Sequence, residues 1–150
     1  MSTTARAARF AAAYALLRSS ADLADHWIQT DHQAQTKGQH DHTPGQSSAA
    51  GRRACAAHVA TYTAAQAAAL LLGTRVLGMR LRPGHVAAAL ALSAGTHYVA
   101  DRREPLRRIA DATGSGPFVR LADHGLNGAY LLDQSWHHTF ETAAALIASA

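Results

Sequence analysis

Cysteine is nearly missing from this sequence: Cys55 stands alone in 150 residues. That excludes an internal disulfide framework and fits a reducing compartment, the cytoplasm. Lysine is as scarce, with Lys37 the single lysine among 14 cations and arginine supplying the rest. β-Branched residues are sparse, and no stretch alternates apolar with polar residues for long, which argues against sheet. Charged residues make up only 16% of the chain.

Alanine fills the space these absences leave. Apolar residues reach 48%, and alanine dominates them, lowering the cost of helix formation and letting helices approach closely. The expected fold is all-α. A length of 150 residues is about one domain's worth, so one helical domain over 1–150 is expected. The formal charge of +4 is carried by arginine, whose forks match phosphate geometry. A small phosphate-bearing substrate is therefore one partner class. A solvated basic surface accounts for the same charge.

Turn formers divide the chain. A first helix is predicted over about residues 4–35, bent near Ser19 and Ser20. Residues 37–51 hold Gly38, Pro44 and Gly45 with few large apolar residues, which predicts a flexible loop. A second helix follows from about 52 to 73 or 77, and Arg82-Pro83-Gly84 breaks the chain before a third over 84–101. A short helix is expected over 105–112 and a last long one over 127–149. Four long helices with short connections and one short extra helix suggest an antiparallel bundle.

Two segments bear on membranes. Arg6 and Arg9 before the apolar stretch 10–17 loosely imitate a signal peptide, but Arg18 breaks the pattern, and a retained helix is expected. The uncharged run 54–74 is long enough to span a bilayer. It is mostly Ala and Thr and carries His58, Tyr62 and Gln66. A buried bundle helix is the preferred reading, with membrane contact left open.

The placement of polar residues is the informative feature. Asp25 and Gln29, His97 and Asp101, and Asp133 and His137 are each spaced i, i+4, one helical turn apart on one face. His58 sits among Ala54, Ala57 and Val59. Burying such groups is costly unless they pair, neutralise or bind a cation. Three histidines and two or three aspartates converging from four helices form a set that Zn, Mn or Fe accepts. The same pairs could simply hydrogen-bond each other or cap helix ends. His40 and His42 fall in the loop; His26, His32, His85, His124 and His138 have no assigned role. Trp27 and Trp136 are expected to border the site as packing residues. Arg102, Arg103, Arg107 and Arg108 form the densest basic cluster.

Three motifs carry a resemblance. Asp25-His26-Trp27-Ile28-Gln29-Thr30-Asp31 with Ala34 and Lys37 resembles the pattern Asp-x-x-x-Gln-Thr-Asp-x-x-Ala-x-x-Lys. His97-Tyr98-Val99-Ala100-Asp101 and Leu132-Asp133-Gln134-x-x-His137 resemble two further signatures of the same group. The group is the bacterial and phage domain-of-unknown-function family 3307, some of whose members are labelled membrane proteins or transcriptional regulators. The resemblance implies no particular activity. By matching positions it makes Asp25, Gln29, Asp31, Lys37, His58, His97, Asp101, Asp133, Gln134 and His137 the functional candidates. Similar proteins often carry a His four residues before the first Asp, where this chain has Ala21. They also tend to be more hydrophobic, so a membrane role carries over poorly.

The leading expectation is a metal-dependent hydrolase, with a phosphate ester as one possible substrate. His58, His97, Asp101, Asp133 and His137 would hold a divalent Zn, Mn or Fe ion, with Asp25 a further ligand or general base. Gln29 and Gln134, with Asp31 and Lys37, would orient ligands or substrate. Arg102 and Arg103 would neutralise developing charge. Two alternatives stand beside it. One is a nucleic-acid-binding or regulatory module using the basic surface, although no helix-turn-helix with a basic recognition helix is evident. The other is a structural or membrane-associated bundle whose polar pairs only set helix register.

Overall fold

The computed structural model describes residues 2–123 and 125–150. Among the described residues every regular element is helical: α1 (Thr3–Leu23), a π-helical turn (Ala24–Ile28), α2 (Asp31–Thr36), α3 (Ser48–Val76), α4 (Pro83–Asp101), α5 (Glu104–Ala112), α6 (Gly116–Val119) and α7 (Gly128–Ser149). The chain is all-α. Four helices are long, as expected, but three short ones accompany them where one was predicted.

Local chemistry explains most boundaries. Ser2, Ser47 and Asn127 cap α1, α3 and α7, each side-chain oxygen accepting from a backbone N–H in the first turn. Thr30 and Gln33 form a reciprocal capping box on α2. Pro83 opens α4, where its missing N–H costs nothing.

The predicted first helix does not run through to residue 35, and its irregularity is not at the serines. Ser19 and Ser20 bond back to the carbonyls of Ala15 and Leu16 within regular helix. The chain departs from α geometry at the π turn, where the Gln29 N–H reaches the Ala24 carbonyl at 2.9 Å, five residues back. Thr30 then starts a new helix. Residues 48–51, expected to be loop, form the first turn of α3. The loop before it is tied down by Arg102, described below.

α1 packs on α3 and α7, and α4 packs on the same two, so the long helices close a ring. Their buried residues step mostly by four: Ala13, Leu17 and Ala21 on α1; His58, Tyr62, Gln66 and Leu70 on α3; Ala89, Ser93, His97 and Asp101 on α4; and His137, Glu141 and Ala145 on α7. Many are small, which permits close approach of the helices. Gly73 lies so close to Leu16 that a Cβ there would overlap its side chain.

The interior is layered along these stripes. At one end Ala13, Leu17, Leu70, Ala89, Ala144, Ala145 and Ala148 form an apolar core. A polar layer comes next. The Arg18 guanidinium donates to both Glu141 carboxylate oxygens at 3.1 and 3.0 Å, and the Tyr62 hydroxyl donates to Glu141 at 3.1 Å. The Gln66 amide donates to the Tyr62 oxygen at 3.1 Å and accepts from the Ser93 hydroxyl at 2.8 Å. Histidines and aspartates occupy the far end. Residue numbers rise toward that end along α1 and α4 and fall along α3 and α7.

α3 is, among the described residues, the helix long and apolar enough to cross a bilayer. Part of that apolarity faces outward, through Leu71, Leu72 and Val76. Its inward stripe carries the polar residues just named.

Candidate metal centre

The π turn decides where Asp25 points. Continuing the α1 stripe past Ala24 by a regular turn would bring Ile28 inward, but Ile28 is 41% exposed. In the wider turn the Asp25 side chain enters the interior and is only 14% exposed. Trp27, expected to pack beside the site, is thrown into solvent at 83% exposure. π turns often mark functional positions in helices.

Asp25 meets two imidazoles. Its Oδ1 lies 3.1 Å from His58 Nε2 and 3.4 Å from His97 Nε2. The two Nε2 atoms face each other at 3.0 Å. Asp101 Oδ2 lies 3.2 Å from His97 Nε2 and 3.5 Å from His58 Nε2. Two triads, Asp25–His58–His97 and His58–His97–Asp101, thus share the His58–His97 edge. Donors about 2.0–2.2 Å from a common ion sit about 3–3.5 Å from one another, the spacing seen in both triads.

Mutual hydrogen bonding does not satisfy this cluster. One proton at most can lie between two Nε2 lone pairs. Asp101 Oδ2 is buried with no hydrogen bond, although two nitrogens are within 3.5 Å. A cation at the convergence point would satisfy all these lone pairs together, so the donor set fits a metal ion.

His137 and Asp133 extend the cluster. His137 joins Asp25 and His97, and also Asp101 and Asp133, in groups whose donor atoms all lie within 4.8 Å of one another. His137 Nε2 is 3.4 Å from Asp133 Oδ2. All five residues expected to hold the metal, together with Asp25, are therefore brought to one place.

The surroundings tune these groups. Burial pushes the Asp101 and Asp25 carboxyls up. That is outweighed at Asp101 by the adjacent His97 imidazole and by the Lys37 ammonium, and at Asp25 by the His58 hydrogen bond and by nearby His97, His137 and Lys37, so both are held below the usual carboxylate range. Lys37 Nζ sits 2.7 Å from Asp101 Oδ1, leaving Oδ2 to face the imidazoles. Burial holds His97 below its ordinary value despite the two aspartates, which favours the neutral, ligating form. Burial also works on His137, but Asp133, Asp25 and Asp101 outweigh it and raise its pKa. The Nδ1 atoms of His58 and His97 are buried without a protein acceptor, so hydrogen bonds do not orient these rings from behind. Stacking orients His97 instead, with Tyr62 at 3.8 Å on the ring and His137 at 4.4 Å.

The other candidates fall elsewhere. Gln29 makes none of the cluster's hydrogen bonds, and its amide nitrogen is buried without a partner. Asp31 is exposed at the start of α2. Gln134 donates to Asp133 at a long 3.5 Å. Arg102, expected to face a substrate, is 6% exposed and donates to the Lys37 and Gln39 carbonyls at 2.5 and 2.7 Å. It pins the loop that carries Lys37. Arg103 is exposed beside a cavity bordered by Asp101 and Asp133.

Among the remaining histidines, His26, His32 and His138 are exposed, and His85 is half-buried with Nδ1 unpartnered. His124 lies outside the described residues. His40 and His42 stack at 5.2 Å near Glu104, and His40 Nε2 lies 2.9 Å from the Arg102 carbonyl, adding to the loop anchor. Trp136 packs as expected, against Phe140 at 4.6 Å, and donates its indole N–H to the Thr96 carbonyl.

Sequence reasoning did not single out Arg18, Glu141, Gln66 or Ser93. Their spacing was the available signal: Glu141 follows His137 by four, Ser93 precedes His97 by four, and Tyr62 and Gln66 continue the His58 stripe. Cys55 is buried, and burial with the nearby Asp101 charge pushes its thiol up to about 12, leaving it an inert packing residue.

No protein-family model matches this chain, and comparison with curated proteins and with solved structures finds no match.

Proposed function

We propose that this protein is a metal-dependent hydrolase in which Asp25, His58, His97 and Asp101 hold a divalent ion, with Zn, Mn and Fe all suited to the mixed imidazole and carboxylate set. The observation that carries the reading is the convergence of two Nε2 atoms and two carboxylate oxygens, with Asp101 Oδ2 buried and lacking any hydrogen bond.

Such an ion supplies a water acidic enough to ionise near neutral pH and polarises a substrate oxygen. The protein's own groups do the rest. Lys37 keeps Asp101 ionised and turned inward. Stacking between Tyr62 and His137 fixes the His97 ring. Asp133 borders the neighbouring cavity and also reaches His137, and in this reading it would take the proton released by an attacking water.

The test is elemental analysis of protein purified without chelator or His-tag, followed by calorimetric titration with Zn and Mn. Near-stoichiometric metal that is lost in His58→Ala and His97→Ala is expected, with hydrolysis of chromogenic esters lost in parallel. A folded protein that carries no metal and takes none up would end this reading.

The second reading, a bundle whose buried polar groups only set register, draws on the Arg18–Glu141–Tyr62–Gln66–Ser93 network, which links all four long helices. Under it, the same two alanine variants lower the melting temperature and change no metal content.

A further inference from the structure

We propose that the cavity opening on Asp101 and Asp133 binds a small phosphate monoester, its phosphate held by Arg103 and Arg107. The chemistry that follows binding rests on the hydrolase reading above; the binding itself does not.

The cavity has a volume of about 360 Å³ and is walled by three cations, Lys37, Arg103 and Arg107. That volume is at the lower end for small-molecule sites, which run from about 300 to 1,000 Å³. Lys37 is already matched to Asp101. Neither Arg103 nor Arg107 is paired with a carboxylate among the described residues, unlike their neighbours Arg108 on Glu104 and Arg120 on Asp111. Asp101 and Asp133 repel an anion, but three cations against these two carboxylates leave the wall net positive, and the two guanidinium forks free of carboxylates match phosphate oxygens.

Arg103 is held in place at a cost. Its φ of 60° and ψ of −50°, with the Glu104 N–H reaching the Arg102 carbonyl at 2.6 Å, make a strained γ-turn between α4 and α5. A non-glycine residue in such a conformation is strained and persists only where its surroundings enforce it. The side chain lies across Gly38, where an added Cβ would meet Arg103 Cδ and Nε at 2.5 and 2.6 Å. One nitrogen, Nη2, donates to the Ala34 carbonyl at 3.1 Å, leaving other donors for a ligand. Leu106, Val119 and Ala129 form an apolar wall suited to the ester's organic group.

Turnover at this site would join a water oxygen to phosphorus and break the ester P–O bond. The alcohol oxygen leaves with the bonding pair and takes up the proton the water gave, so the products are an alcohol and inorganic phosphate.

Calorimetry on the full chain, metal-free and metal-loaded, with inorganic phosphate, phenyl phosphate and benzoate as probes, tests the assignment. Saturable binding of both phosphates is expected, tighter for phenyl phosphate, with benzoate at least about tenfold weaker. Arg107→Gln, on an exposed position of α5, and Arg103→Gln should each weaken phenyl phosphate about tenfold, as expected for losing a charged hydrogen bond, while metal content stays unchanged. No binding of phenyl phosphate to either form, equal affinity for benzoate, or wild-type affinity in both variants overturns the proposal. A chain that takes up no metal yet binds phenyl phosphate through Arg107 keeps this assignment and removes the hydrolase.

Discussion

The Tyr62 ring lies against the His97 imidazole with centroids 3.8 Å apart and 30° between their planes, while its hydroxyl donates to Glu141. One side chain thus joins the metal-type cluster to the polar layer beneath it. Tyr62→Phe keeps the stack and removes the hydroxyl, leaving Glu141 and Gln66 each short of a partner. It should cost about 1–3 kcal/mol in urea unfolding with metal affinity unchanged. Tyr62→Leu also removes the stack and should weaken metal binding about tenfold or more, by freeing the ring that no hydrogen bond orients from behind. Wild-type metal affinity in the leucine variant would show that the stack does not position His97.

Gly128 and Gly95 make a contrasting pair. Both lie in long helices, where alanine is intrinsically better by up to about 1 kcal/mol. A Cβ at Gly128 would run into the backbone carbonyl of Phe118, whereas at Gly95 it meets nothing within 4 Å. Gly128→Ala should therefore lose about 2 kcal/mol or more, through displacement of α6 from α7. Gly95→Ala should raise stability slightly. Thermal or urea unfolding of both variants decides it, and equal effects would contradict the close approach.

Acid should unfold the metal-free protein in a defined window. Asp101 and Asp25 are held below the ordinary value of 3.8 in the fold, so the unfolded chain binds their protons more tightly. The stability they contribute is complete above that value and is lost as pH falls below about 4 toward their folded values. The shifts of His97 and His137 run in opposite directions, the first lowered and the second raised, so their contributions oppose each other. Melting temperatures measured between pH 3 and 6 should fall steeply at the acid end, and Asp101→Asn should flatten that fall. A wild-type profile level across the range would mean that these carboxylates are not stabilised by their neighbours.

Much of the fold was legible along the chain because its signals are local. Asn127, Pro83 and Pro105 mark the starts of α7, α4 and α5 within a residue or so of where the helices begin. The pairs His97–Asp101 and Asp133–His137 were legible for the same reason, since i, i+4 spacing puts both members on one helix face whatever the fold around them. Arg102 and Trp27 were read wrongly because their roles depend on direction. A chain of adjacent arginines does not reveal that Arg102 turns inward to the Lys37 and Gln39 carbonyls while Arg103 turns out over Gly38. The π turn that exposes Trp27 and inserts Asp25 inserts one extra residue in a turn, with no single residue type to announce it.

Composition and spacing by themselves determined that this chain would be helical and that its polar residues would lie on inward stripes, because helix propensity and side-chain direction depend on neighbours three or four residues away. Only tertiary structure decided that His58 and His97, 39 positions apart, would face each other and that Asp25 would reach both. That meeting depends on how far each stripe lies along its helix when the apolar ends pack, and close packing of small side chains across the ring, rather than any local preference, sets that depth.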